Sequence, residues 1–184
     1  MRYYQRIKLK NGKDCILRNP TAEDAQAIIG HMIKTSEESD NMLRYSDEIA
    51  RTVKYDDEFS FLKMLEDADD QGMICAVVDG IIVANAGFHP VGKTDKVRHR
   101  CEFGISVQRE YWHQGIGYAI LCAIKDQAKA AGYTQIELDV VTDNQRGLGL
   151  YQKCGFEIIG KNMRHLRKRD NSYQACYIMC CVLD

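Results

Sequence analysis

The residues best placed to do chemistry lie between Cys101 and Gly117, in the run C-E-F-G-I-S-V-Q-R-E-Y-W-H-Q-G-I-G. Its first half reads as a strand, its middle as a polar turn, and its end as a loop spaced by Gly115 and Gly117. An apolar helix follows from Tyr118 to Ala131, then a strand from Gln135 to Val141. A strand, a glycine-rich turn and a helix start together make an anion site. The first helical N–H groups have no partner within the helix, and the helix dipole is positive there. Gly115 and Gly117 lack the Cβ atoms that would hold a phosphate away from the backbone. Taken alone, G-x-G is equally the spacing of a tight turn before a helix. Further along, Asn144 and Tyr151 stand in a helical stretch. Their separation returns them to one face roughly 10 Å apart along the axis, so both can point at one extended ligand. On the strand, alternation sets Glu102, Gly104 and Ser106 on one side.

Two motifs carry a resemblance when taken together. The first stretch is similar to V-x-P-x-Y-[RQ]-G-x-G-[IL]-[GA], matched in register by Val107, Tyr111, Gly115, Ile116 and Gly117. Arg109 stands where Pro is common, and Trp112 where Arg or Gln is usual. The second stretch, N-Q-R-G-L-G-L-Y-Q-K-C-G-F from Asn144 to Phe156, is similar to N-x-x-A-x-x-L-Y-x-K-x-G-F. Asn144, Leu150, Tyr151, Lys153, Gly155 and Phe156 meet it, and Gly147 replaces the Ala. The chain thus resembles the GNAT superfamily of acyl-CoA-dependent N-acyltransferases, from near Arg18 to Val182.

The resemblance implies a GNAT-like α/β (α+β) fold. Its mixed, mostly antiparallel sheet would have about seven strands and about four helices, with a cleft where the fourth and fifth strands run parallel. It implies acetyl-CoA as cosubstrate, with the pantetheine arm beside the backbone of Ile105, Ser106 and Val107 almost as an added strand. The pyrophosphate would sit on the N–H groups of Trp112, His113, Gln114, Gly115, Ile116, Gly117 and Tyr118. Asn144 would contact the pantetheine, and the Tyr151 hydroxyl would lie near the sulfur as acid or hydrogen-bond donor to the departing thiolate. A phenol titrates near 10 and a thiol near 8.5, so full proton transfer is uphill and a hydrogen bond describes the role better. Family members often place a carboxylate on this strand near the reacting carbonyl. Glu102 is therefore the candidate base, directly or through a water. His99 is the alternative with a suitable pKa, and an amine arriving neutral needs neither. Glu102 facing solvent, or paired with Arg98 or Arg100, stays open.

The elements that must position these residues read as follows. Cys15 to Arg18 is a short strand, and Thr21 with Asp24 approximates a capping box for a helix carrying Ala25, Ile28, Ile29, Met32 and Ile33 inward. Glu37, Glu38 and Asp40 follow, either in a solvated loop or as carboxylates that attract a cationic amine, and Glu37 to Asp57 holds no readable motif. A helix from about Glu58 to Ala68 turns Phe61, Leu62 and Leu65 inward. Met73–Val78 and Ile81–Phe88 form a hairpin around Asp79-Gly80, and the next strand runs from Val97 to Val107. Gly132 caps the apolar helix, and a short helix spans Asn144 to Cys154. Strands Phe156–Met163 and Tyr173–Val182 close the chain, joined by R-H-L-R-K-R-D-N-S. That basic run is either a solvated hairpin loop or a contact for an anionic substrate or the cofactor's 3′-phosphate.

Composition bounds the rest. The 184 residues read most simply as one domain, 1–184, with 45% apolar and 28% charged residues. A net charge of −1 gives no basic field for nucleic acid or membrane. The N-terminus has no apolar signal core, and no apolar run approaches the roughly 18 residues of a membrane span. The 8 cysteines include no C-x-x-C and no His at zinc-ligand spacing, so they read as reduced structural thiols in a cytoplasmic protein without a metal. No Ser/His/Asp grouping supports an acyl-enzyme, and Cys101 is not expected to be a nucleophile. The leading expectation is acetyl transfer from acetyl-CoA to a primary amine of a small molecule, by direct attack in a ternary complex. A protein N-terminus or lysine as acceptor, a non-catalytic acyl-CoA-binding module, and a homodimer all stay open.

Overall fold

The computed structural model describes residues 3–183. The strands are β1 (Tyr4–Lys8), β2 (Asp14–Arg18), β3 (Gly72–Val78), β4 (Ile81–Pro90), β5 (Arg100–Val107), β6 (Gln135–Val141), β7 (Glu157–Arg167) and β8 (Tyr173–Val182). The helices are α1 (Ala25–Glu38), α2 (Ser46–Thr52), α3 (Tyr55–Glu66), α4 (Ile116–Ala130) and α5 (Gln145–Lys153). The strands make one 8-stranded sheet in the order β1-β2-β3-β4-β5-β6-β8-β7. Every neighbouring pair is antiparallel except β5 and β6.

Helices cover both faces. The most apolar, α4, buries Ile116, Ile120, Leu121, Ile124 and Ala128 against Ile74, Cys101, Phe103 and Ile136. Its amphipathic stripe dictates that position. On the other face, Ala25 and Ile28 of α1 and Leu62 of α3 pack over Cys75 and Ile82. Phe61, expected to face inward, is 40% exposed. The helix begins at Tyr55, and Phe59 and Leu65 flank Leu62 on the inner face instead. Two elements lie outside the sequence expectations, β1 and α2, so the parallel pair is β5–β6 rather than the fourth and fifth strands. The hairpin at Asp79-Gly80 has φ of 50° and 81° at those residues, as a two-residue turn matching strand twist requires.

The parallel pair decides the shape of the molecule. β5 and β6 pair only at Arg100–Gln135, Cys101–Ile136 and Glu102–Glu137. Beyond these, β5 continues against β4 to Val107, and β6 continues against β8 to Val141, without a ladder between them. The closed end is held by Arg100, whose guanidinium forks onto Glu137, with Nη2 to Oε2 at 2.7 Å. The sheet therefore splits into a wedge. The edge of β5 from Phe103 to Val107 is left available for an added strand-like ligand.

Candidate active site

The wedge opens onto the glycine loop. After β5, a 3-10 turn at Arg109–Tyr111 leads to His113, at φ 62°, and Gly115, at φ 97°, which precedes the first turn of α4. A Cβ on Gly115 would meet nothing within 4 Å, yet its φ lies where side chains are strained. Gly117 behaves differently. A Cβ there would come within 3.1 Å of Leu150 Cδ2, so this glycine clears the packing of α5 on α4. The contact gives Gly117 a packing role beside the phosphate role expected of it. His113 stands where the motif has glycine, and it holds the left-handed conformation itself. The loop is propped from below: Asn11 N–H donates to Gln114 Oε1 at 3.0 Å. It is propped from above as well, where Glu38 Oε2 accepts the Arg109 N–H at 2.6 Å and Lys34 pairs with Glu110 at 2.9 Å. Glu38 is thereby engaged as a structural clamp and is not a free carboxylate for an amine.

Trp112, where the motif has Arg or Gln, donates its indole N–H to the Val107 carbonyl at 2.7 Å. The Arg146 guanidinium stacks on its ring 3.2 Å from the centroid, and that of Arg109 lies 5.4 Å away. Burial, with the charge of Arg109, holds the Arg146 pKa below its usual range. Two guanidiniums thus flank the loop, so the cation missing at the motif position is restored from α5. Tyr118 is exposed, with the Lys153 ammonium 4.9 Å from its ring centroid.

Ser106 turns its side chain under α1, away from the wedge. Its hydroxyl donates to Asn85 Oδ1 at 2.9 Å and lies 2.8 Å from His31 Nε2. Gln108 Nε2 donates to the Ile82 carbonyl and lies 3.3 Å from His31 Nδ1. The arrangement is satisfied by a neutral imidazole with its proton on Nε2. Burial lowers the His31 pKa to about 4, consistent with that state. The Ser106 side chain is therefore turned away from any ligand in the wedge, and the Val107 carbonyl is already engaged by Trp112.

Asn144 caps α5, and its Oδ1 accepts the Gly147 N–H at 3.0 Å. A Cβ at Gly147 would come within 2.7 Å of Asn144 Nδ2, which accounts for glycine in place of the motif's Ala. Tyr151 is buried between Phe103, edge-on at 6.4 Å, and Phe156 at 5.9 Å. Its hydroxyl has no hydrogen-bond partner among the described residues. Burial, then the neighbouring Cys154, pushes the phenol up to about 12, so it stays protonated and keeps its O–H as a donor at neutral pH.

Glu102 lies on the face of β5 opposite Phe103, half exposed, with His89 Nε2 3.6 Å from Oε2. It pairs with neither Arg98, which faces Asp95, nor Arg100, which holds Glu137. His99 precedes the strand: its carbonyl accepts the N–H groups of Thr134 and Gln135 at the closed end of the wedge. Val97 and Arg98, expected in the strand, are in a turn that closes on the Thr94 carbonyl.

On the open half of β6, Asp139 lies 3.4 Å from His165 of β7. His165 lines a cavity of about 250 Å³ with Ser36 of α1, Ser39, Asp40, Arg44 and Tyr45 of the α1–α2 connection, and Arg167 and Lys168 of the β7–β8 hairpin. Arg169 clasps the two walls together, pairing with Asp47 at 2.7 Å and covering the Tyr45 ring at 4.1 Å. Local spacing carries no sign of the Asp139–His165 pair or of the clasp, because both join residues far apart in the chain. A larger cavity, about 480 Å³, is lined by residues such as Asn19, Leu65, Met73 and Phe88 and by none of residues 108–118.

Comparison with known proteins fits this geometry. Residues 36–156 match the family model for the acetyltransferase (GNAT) family, more than half of the chain. The chain belongs to the GNAT acetyltransferase family. Among curated proteins it is 30% identical over 89 residues to N-acetyltransferase 8B of Homo sapiens, covering 48% of this chain and 39% of that one. It is 32% identical over 88 residues to N-alpha-acetyltransferase RimI of Mycobacterium tuberculosis, covering 48% and 53%. The matched stretch therefore spans about half or less of these relatives. Among solved structures, a GNAT-family acetyltransferase from Streptococcus pneumoniae superposes with a TM-score of 0.85 at 25% identity, covering 91% of this chain and 99% of that one. The yncA protein of Salmonella typhimurium, solved with its cofactor acetyl-CoA, gives 0.79 at 17% identity over 92% and 94%. Among the described residues no cluster could hold a metal ion, and no helix is long and apolar enough to cross a membrane.

Proposed function

We propose that this GNAT chain moves an acetyl group from acetyl-CoA to a primary amine of a small molecule, by direct attack in a ternary complex. The observation that carries the reading is the wedge between β5 and β6. One side leads to the helix start after the glycine loop; on the other, Asp139 of β6 lies 3.4 Å from His165, which lines an open cavity of about 250 Å³. In this reading the pyrophosphate lies on the N–H groups of 112–118, with Arg146 and Arg109 beside them, and the pantetheine extends along Ile105 to Val107. The Nδ2 of Asn144, whose Oδ1 caps α5, faces the pantetheine.

The amine nitrogen attacks the thioester carbon, the carbon–sulfur bond breaks, and the thiolate leaves. Tyr151, held protonated by burial, donates a hydrogen bond to that sulfur. The ammonium's proton passes to Glu102 through a water; support for this role is the exposed face of the strand on which Glu102 stands. A protein N-terminus is the second reading, favoured by the name of the RimI relative, and a cavity of this volume favours the small acceptor. All 8 cysteines are unpaired, and burial pushes the thiols of Cys75 and Cys101 up to about 12.

The test is calorimetric titration with acetyl-CoA followed by transfer to a panel of primary amines and peptides, read by product mass. Tight acetyl-CoA binding with N-acetylation of small amines supports the reading. Binding without transfer to any amine would leave an acyl-CoA-binding module.

A further inference from the structure

We propose that the acceptor carries an anionic group, a carboxylate or phosphonate, held by Arg44, Arg167 and Lys168 while its amine faces the carboxylates of the sheet. The proposal rests on the acetyl-transfer reading above and names the acceptor class for that site. The three cations line the 250 Å³ cavity together, from both of its walls. Three other arginines are held by carboxylates: Arg18 by Asp24, Arg100 by Glu137, and Arg169, beside the cavity, by Asp47. None of these three forms an ion pair among the described residues. Arg44 reaches only the Met32 sulfur, at 3.9 Å, and lies near enough to Glu58 to lower its pKa against the upward pull of burial. Arg167 donates to the neutral Asn171 Oδ1 at 2.5 Å. Lys168 contributes to the lowered pKa of Asp170 at the hairpin tip, and its ammonium makes no hydrogen bond among the described residues. Asp40 is the single carboxylate of the cavity wall, and it is exposed.

The wedge, which meets the cavity through His165, has the opposite sign. Glu102 and Asp139 stand on the two diverging strands, at and beyond the last paired residues, and Asp139 holds His165, which lines the cavity. Charge therefore runs from carboxylates at the wedge to unpaired cations at the rim. An acceptor with an amine at one end and an anion at the other meets both. A polyamine would set like charges together at the rim, and a neutral-tailed amine would leave the guanidiniums without an anion. Arginine forks match carboxylate and phosphonate oxygens in geometry as well as charge.

The experiment compares matched pairs: leucine with leucinamide, and 3-aminopropylphosphonate with 3-aminopropanol. Rates are corrected to the neutral-amine fraction, because an amide lowers the pKa of its own amine. The acids are expected to show kcat/KM about 10-fold or more above their neutral partners, the size of one charge-assisted hydrogen bond. In Arg44→Gln, Arg167→Gln and Lys168→Gln that ratio should fall toward unity, chiefly through KM. A structural role alone would lower both members of a pair and leave the ratio intact. Equal or better rates with the neutral partners, or unchanged ratios in all three variants, would overturn the proposal. So would preferred acetylation of peptides regardless of charge. The same pairs titrated by calorimetry into the coenzyme A-loaded protein separate the two readings. Selective binding of the acids without any transfer would sink the transferase reading while sustaining the anion site. Absence of selective binding would sink the anion site whatever the transfer assay shows.

Discussion

On the cofactor-facing side of the wedge, Ile116, Ile120 and Leu148 are buried, Tyr151 is wedged between two phenylalanines, and the loop is fastened by backbone-directed hydrogen bonds. On the acceptor-facing side, the α1–α2 connection and the β7–β8 hairpin meet through Arg169 and Asp47, whose side chains are 56% and 55% exposed. Leu43, in the same connection, is 78% exposed. An exposed ion pair is worth about 0–1 kcal/mol, whereas burying a single leucine-sized side chain is worth about 1.5–3 kcal/mol. The first side is preorganised for one ligand. The second is held by an exposed ion pair, and under the proposed reading small changes there would alter which acceptor binds without disturbing the fold.

The largest effect should come from the buried side. Tyr151→Phe keeps the ring between Phe103 and Phe156 and removes only the hydroxyl. Turnover should fall by about 10²–10⁴, the usual range for losing an acid–base partner, with acetyl-CoA affinity unchanged by calorimetry. Wild-type turnover in a variant for which chemistry limits the rate would remove the assignment.

The pH dependence of stability reads out the network under α1. His31 has its folded pKa lowered to about 4 by burial, against about 6.5 when unfolded. Its contribution is fully present above the unfolded value. It is lost as the pH falls from about 6.5 toward 4, because the unfolded chain then binds the extra proton. By pH 5 the loss should be about 2 kcal/mol, measurable by urea denaturation at both pH values. His31→Gln should flatten that slope. An equal slope in the variant would show that other groups set it.

Gly117→Val probes the contact with Leu150. Overpacking typically costs about 1–3 kcal/mol, which for a chain of this size is a fall in Tm of several degrees. Acetyl-CoA affinity should weaken as α5 is displaced. A variant that loses affinity at wild-type Tm would favour the phosphate role read from the sequence over the packing role.

The smallest effect belongs to the exposed clasp. Arg169→Ala should cost less than about 1 kcal/mol of stability and leave acetyl-CoA affinity alone. It should raise the amine KM a few-fold as the two cavity walls separate. Unchanged KM across the amine panel would mean that the clasp does not shape the acceptor site.

What was legible in the sequence follows the same division. The glycine loop, α4, β6 and the Asn144–Phe156 motif were readable because their residues are neighbours in the chain and serve backbone geometry. The hairpin at Asp79-Gly80 was readable for the same reason. β1 was missed because its five exposed or half-exposed residues show no apolar alternation. α2 was missed because its seven residues bury only Ile49. The role of Gly117 depends on Leu150, that of Glu38 on Arg109, and that of His165 on Asp139. These contacts join segments that only the folded sheet brings together, and no local spacing encodes them. The basic hairpin was visible as composition, but whether its cations were neutralised could be learned only from their surroundings.

The central claim is that the wedge performs direct acetyl transfer to an amine. It is tested most directly by following coenzyme A thiol release and N-acetylated product in one reaction, using ¹³C-acetyl-CoA with leucine. The account predicts that product and free thiol appear in equal amounts, with no burst of acetylated protein, and that both slow together in Tyr151→Phe. Thiol release without N-acetyl product, or acetate accumulating at a rate independent of the amine, would contradict it.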